Sequence, residues 1–206
     1  MTSVWGPLGW MTLHSVASLY PDRPTEVERQ LMTKWLDLFR DTITCPSCQA
    51  HFAELLGNYR SQYPNMLYTR SDFMLFTLRA HNSVNKRLNK PVYPTVQACY
   101  EVLRNNVKTT KTLNYRITYT NHITRHWRSF QDSSGLAAMK NIHEIKKIEM
   151  GYMTPRSNEF EDMIPEDNVF FVPINPGQPP ELPSMARPAI PTGRMVLGPN
   201  GFRRQR

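Results

Sequence analysis

Two thiols stand three positions apart in the stretch TITCPSCQAHF, residues 42–52, and the chain's third cysteine, Cys99, lies far along the sequence. Cys45 and Cys48 enclose Pro46 and Ser47. Such a pair serves one of three chemistries: a metal knuckle, a covalent haem attachment or a redox dithiol. Haem attachment needs a histidine directly after the second cysteine, and Gln49 stands there. Zinc would need His122 and His126 of HITRH to complete the set. The 73 residues between Cys48 and His122 far exceed the usual finger loop of about 12–15, and a helix is predicted to begin at the pair itself. The redox reading fits that helix start. Free amide N–H groups and the positive end of the helix dipole stabilise a thiolate there and lower its pKa, and proline between the cysteines fixes the turn. No metal ligands are assigned.

A dithiol on a helical scaffold needs an electron acceptor, so the next question is where a cofactor sits. The stretch HNSVNKRLNKPVYP, residues 81–94, is the candidate. At helical spacing His81, Asn85 and Leu88 line one side, with Asn82 and Lys86 adjoining. A histidine, two asparagines and then lysine and arginine suit a ligand with an aromatic base, ribose hydroxyls and phosphates. A solvated polar helix end would read the same way, and spacing alone leaves both open.

The elements that position these residues read as helices. GWMTLHSVASLY puts Trp10, Leu13, His14, Ala17 and Tyr20 on one face. PTEVERQLMTKWLDLFR opens with Thr25 three residues before Glu28, a capping box, and runs apolar at Leu31, Trp35, Leu38 and Phe39. The third helix has Pro46 in its first turn and Gly57 as its expected stop. The fourth is expected to be capped by Ser71 and to end before Pro91. A short fifth starts at Thr95. Five helices over residues 1–107, with short links, predict an all-α four-helix bundle plus a fifth helix. Over 108–154, TLNYRITYT alternates like a strand, while GLAAMKNIHEIKKIEMGY has helical spacing at Leu136, Met139, Ile142, Ile145 and Ile148. One helix is expected there, and the strand stays open. Residues 155–206 hold ten prolines and read as an extended basic tail, because proline removes backbone donors.

Together these motifs resemble the Erv/ALR family of FAD-linked sulfhydryl oxidases. The resemblance covers roughly residues 4–107. It rests on Trp10-x-x-x-His14, Cys45-x-x-Cys48 and His81-Asn82-x-Val84-Asn85-x-Arg87-x-x-Lys90-Pro91, in the family's order. It implies a bundle holding FAD beside the C-x-x-C disulfide. Trp10 and His14 would contact the cofactor from the first helix. His81, Asn82, Val84 and Asn85 would hold adenine and ribose. Lys86, Arg87 and Lys90 would reach the phosphates or the adenosine edge, and Tyr93 would pack near the adenine. The implied activity is oxidation of protein thiols through Cys45–Cys48, with electrons passed to dioxygen to give hydrogen peroxide. A homodimer through the first two helices is implied too. Pro7 and the minimal domain resemble members encoded by large DNA viruses. The chain departs from many members in lacking a second, shuttle cysteine pair, and Cys99 has no partner for a structural disulfide, so it is expected to be a free core thiol.

Composition bounds the rest. The formal net charge is +8 over 206 residues. That favours acidic neighbours and says nothing of fold. Three cysteines exclude a disulfide-stapled scaffold. The N-terminus lacks signal-peptide character and no apolar run reaches the roughly 18 residues of a membrane span, so a cytoplasmic protein is expected. The basic residues are scattered and FRRQR is short, which argues against specific nucleic-acid binding. The tail raises an alternative of another class: an assembly protein, for instance of a virion shell, whose tail laces into partner proteins.

Overall fold

The computed structural model describes residues 2–107 and 112–156, and among them every regular element is helical. In chain order these are α1 (Thr2–Leu19), α2 (Glu26–Asp41), α3 (Pro46–Gln62), α4 (Arg70–Arg87), α5 (Val96–Val107), α6 (Thr112–Trp127), α7 (Ser133–Ile148) and a π-helical turn, Glu149–Met153. The packing closes into a ring. α1 lies on α4, α4 on α3, α3 on α2, α2 on α7, α7 on α6 and α6 back on α1, while α5 packs against α1 and α4.

Local chemistry sets the helix ends. The Thr25–Glu28 capping box forms as expected: the Thr25 hydroxyl accepts from the Glu28 N–H and the Glu28 carboxylate accepts from the Thr25 N–H. The Ser71 cap is corrected to Thr69, whose hydroxyl accepts from the Asp72 N–H at 3.0 Å while also donating to the Asp72 carboxylate. Gly57 does not stop α3. The helix runs one more turn, which buries Tyr59, and ends at Tyr63, where Pro64 disfavours a further helical residue. A glycine inside a helix costs about 1 kcal/mol relative to alanine, less than burial of a tyrosine returns.

The larger difference lies beyond residue 111. Two helices form where one was expected, and no strand. Arg116, Tyr119, Thr120, Ile123 and Thr124 are the buried face of α6, a 3.6-residue repeat disguised by an arginine and two threonines. Ile117, part of the apparent alternation, is exposed. On α7, Ile142, Ile145 and Ile148 join the same core as α1–α4, whereas Leu136 is 64% exposed. α6 explains α1 as well: residues 12–20 are buried without interruption, because α4 covers one side and α6 the other.

The attachment of α6 and α7 is polar as well as apolar. Arg116, 1% exposed, donates from Nε and Nη2 to the two carboxylate oxygens of Glu149, at 2.8 and 2.9 Å, and from Nη1 to the Ser15 hydroxyl at 2.6 Å. The Trp127 indole N–H donates to the Thr42 carbonyl, the Tyr152 hydroxyl donates to Glu28, and Lys34 pairs with Glu144. Arg156 lies 4.1 Å over the Tyr152 ring. The extended tail predicted for 155–206 lies, after Arg156, outside the described residues.

Candidate active site

Cys45 is the N-cap residue of α3 and Pro46 its first helical residue. That geometry makes the thiol–helix relation concrete. Cys45 Sγ accepts from the Cys48 backbone N–H at 3.4 Å and lies 3.4 Å from the Ser47 hydroxyl. Cys45 and Cys48 are joined in a disulfide with Cα atoms 5.2 Å apart. Cys48 packs against the hydrophobic core, so of the two it is the inward sulfur. Once reduced, a Cys45 thiolate keeps an amide donor, a hydroxyl donor and the helix dipole around it. Ser47 lay inside the motif in plain view, yet hydroxyl placement is a matter of rotamer and the sequence could not give it.

The second cluster is aromatic. Trp10 of α1 stacks on His81 of α4, with ring centroids 4.2 Å apart and planes 7° from parallel. His14, one turn along α1, is fully buried, and its Nε2 lies 3.0 Å from His81 Nδ1. Tyr93 meets His81 edge-on at 5.3 Å, and Tyr100 meets His14 edge-on at 5.5 Å. Burial, then the neighbouring His81, pushes the His14 pKa well down; burial, then the Lys90 charge, pushes that of His81 down to about 4. Both rings are therefore neutral at pH 7. Cys99, a free buried thiol as expected, sits 3.8 Å from His14 Nε2, and burial raises its pKa to about 12. Its place beside His14 could not be read from spacing, since 85 residues separate the two.

The remaining predicted residues divide. Asn82 is 1% exposed and its amide is committed to the backbone of Tyr93 on both atoms, donating to the carbonyl and accepting from the N–H, each at 2.9 Å. Asn85 donates to the Pro91 carbonyl at 3.0 Å. These two side chains fasten the 89–93 loop onto α4. The loop turns at Asn89, whose φ of 52° is left-handed, a conformation asparagine tolerates. Val84 is half-buried, while Lys86, Arg87 and Lys90 are exposed. Among the described residues none of these three cations has a carboxylate at ion-pair distance. His122 and His126 do not join Cys45 and Cys48: the two cysteines are consumed in the disulfide, and the group that could converge on one ion, among the described residues, is His14, His81 and Cys99.

The Erv1 / Alr family profile matches residues 8–109. A candidate FAD-linked sulfhydryl oxidase of Invertebrate iridescent virus 6 is 36% identical over 94 residues, which is 44% of this chain and 85% of that protein. This chain belongs to the Erv1/Alr family. The FAD-linked sulfhydryl oxidase of African swine fever virus is 35% identical over 88 residues, 43% of this chain and 71% of its own length. A candidate enzyme of the same name from Invertebrate iridescent virus 3 is 38% identical over 88 residues, 43% of this chain but 58% of that relative, so the chain spans little more than half of it. No solved structure matches. α6 and α7 lie beyond residues 8–109, the span that the family profile matches.

The donor set suits the flavin cofactor in those relatives' names. His14 Nδ1 is buried with no hydrogen-bond partner. Trp10, His81 and Tyr93 supply aromatic planes. The three cations unpaired among the described residues lie together at the C-terminal end of α4 and the loop after it. Orphaned buried polarity, flat surfaces and positive charge are what a ring, a nucleoside and two phosphates require.

Proposed function

We propose that this Erv1/Alr-family chain is an FAD-dependent thiol oxidase, and that Cys45 and Cys48 carry the exchange. The observation behind this is the disulfide at the N-terminus of α3, with its outer sulfur held by the Cys48 N–H and its inner one against the core. A substrate thiolate attacks Cys45 Sγ; the Cys45–Cys48 bond breaks and Cys48 leaves as a thiolate. A second substrate thiolate attacks the substrate sulfur of the mixed disulfide and expels Cys45, also as a thiolate. Two substrate thiols have then given up two electrons and two protons, and the pair holds the electrons. The Cys48 amide and the Ser47 hydroxyl stabilise the Cys45 leaving group. FAD, when bound, would accept those two electrons and pass them to dioxygen, giving hydrogen peroxide.

In this reading Trp10, His14 and His81 hold the ring system, Tyr93 and Val84 complete its walls, and Lys86, Arg87 and Lys90 answer the phosphates. Asn82 and Asn85 act by holding the 91–93 backbone in place. Because His14 and His81 are neutral at pH 7, each offers one donor and one acceptor rather than a charge. A homodimer through the first two helices would use the faces of α1 and α2 that α6 and α7 of the same chain leave free. Thiol-bearing proteins are the substrates. The test is spectroscopic: purified full-length protein is expected to be yellow, to release FAD on denaturation and to oxidise a dithiol with oxygen uptake. Folded protein that stays colourless with added FAD refutes the reading.

A further inference from the structure

We propose that His14, His81 and Cys99 form a binding site for a thiophilic divalent cation, with Zn²⁺ as the type, when the chain carries no flavin. Three elements bring the donors together: His14 from α1, His81 from α4 and Cys99 from α5. Their ligand atoms, His14 Nε2, His81 Nδ1 and Cys99 Sγ, all lie within 4.8 Å of one another.

The spacing matches the ion. With Zn–N of about 2.0–2.1 Å and Zn–S of about 2.3 Å, a tetrahedral centre holds two nitrogens about 3.3 Å apart and a nitrogen and sulfur about 3.6 Å apart. The structure has 3.0 Å between the imidazole nitrogens and 3.8 Å from His14 Nε2 to the sulfur. Shifts of a few tenths of an ångström on those edges, and closure of the His81–Cys99 edge, complete the arrangement.

The local hydrogen bonding favours an ion too. His14 Nε2 faces two polar groups, His81 Nδ1 and the Cys99 thiol, yet one N–H or one lone pair serves only one of them well. A cation bonded to all three atoms replaces that competition. Each imidazole can offer a ring lone pair, and the thiol gives up its proton to the solvent on metal binding. Two imidazoles and one thiolate are borderline-soft ligands of the kind zinc and its neighbours take, and three protein ligands leave a fourth position for water. Trp10 and Tyr100 pack against the rings and fix their planes. Since His14 and His81 are also assigned to the flavin, metal and flavin exclude one another.

The test uses full-length chain stripped of flavin, with Cys45→Ser and Cys48→Ser to remove the other thiols, titrated with Co²⁺. The expected result is one equivalent bound, with a thiolate-to-cobalt absorption in the near ultraviolet and strong tetrahedral visible bands, all displaced by Zn²⁺. Cys99→Ser is expected to remove the near-ultraviolet band, and His81→Ala to weaken binding at least about tenfold. Prior saturation with FAD is expected to block uptake. The proposal is overturned if helical, flavin-free protein shows no thiolate band, if the band survives Cys99→Ser, or if the flavin-free chain has lost its helical circular dichroism. A protein that never binds FAD but passes the cobalt test would sink the oxidase reading and leave this one standing.

Discussion

Arg116 carries the most consequential stability prediction. Its guanidinium is 1% exposed and its Glu149 partner 14% exposed, and the two meet through paired hydrogen bonds. Arg116→Met removes the cation and leaves the carboxylate mostly buried and the Ser15 hydroxyl without its donor. Breaking one side of a buried pair typically costs about 3–5 kcal/mol. The Thr154 hydroxyl still donates to Glu149, which places the expected loss near the lower end, about 3 kcal/mol. At about 2–4 °C per kcal/mol for a chain of this size, the melting temperature should fall by about 6–12 °C. Urea unfolding followed by circular dichroism measures it directly. The paired change Arg116→Met with Glu149→Leu should recover much of the loss, because no unpaired charge remains. Arg116 also ties α6 to the turn of α1 that follows His14, so Arg116→Met is expected to weaken flavin retention. A single variant within about 1 kcal/mol of the parent, the upper end for exposed pairs, or a double variant no better than the single one, would refute the account of this network.

Other outcomes follow from named contacts. Cys45→Ser and Cys48→Ser should each abolish dithiol oxidation, whereas Cys99→Ser should keep most of it, as oxygen consumption will show; an essential Cys99 would contradict its assignment as a free thiol. Gly135→Ala should destabilise the chain by about 1–3 kcal/mol, since a Cβ there would overlap the Phe130 carbonyl; an unchanged urea midpoint counts against it. Burial opposes ionisation of Glu28, but hydrogen bonds from Thr25 and Tyr152 and the Arg156 charge hold its carboxyl below the usual range. A depressed carboxylate stabilises the fold above its unfolded pKa and loses that contribution as pH falls through the folded one. Glu28→Gln should therefore flatten the acid limb of stability below about pH 5; an identical limb in parent and variant would refute the coupling.

Sequence alone determined what depends on neighbours along the chain. The capping box at Thr25 and the helix that begins at Pro46 behind Cys45 are both matters of spacing within a turn or two. The same local logic failed where long-range burial outweighed it. Gly57 reads as a stop until Tyr59 finds the core. Residues 112–120 alternate like a strand until Arg116 finds Glu149 and Ser15, because a buried arginine is apolar to no periodicity rule and becomes tolerable only once its partners arrive from other helices. Asn82 and Asn85 read as ligand donors until the 89–93 loop folds back and takes their amides. Tertiary structure alone placed Cys99 beside two histidines from other helices and laid α6 and α7 along α1 and α2. Those decisions belong to packing, which joins residues the sequence keeps tens of positions apart.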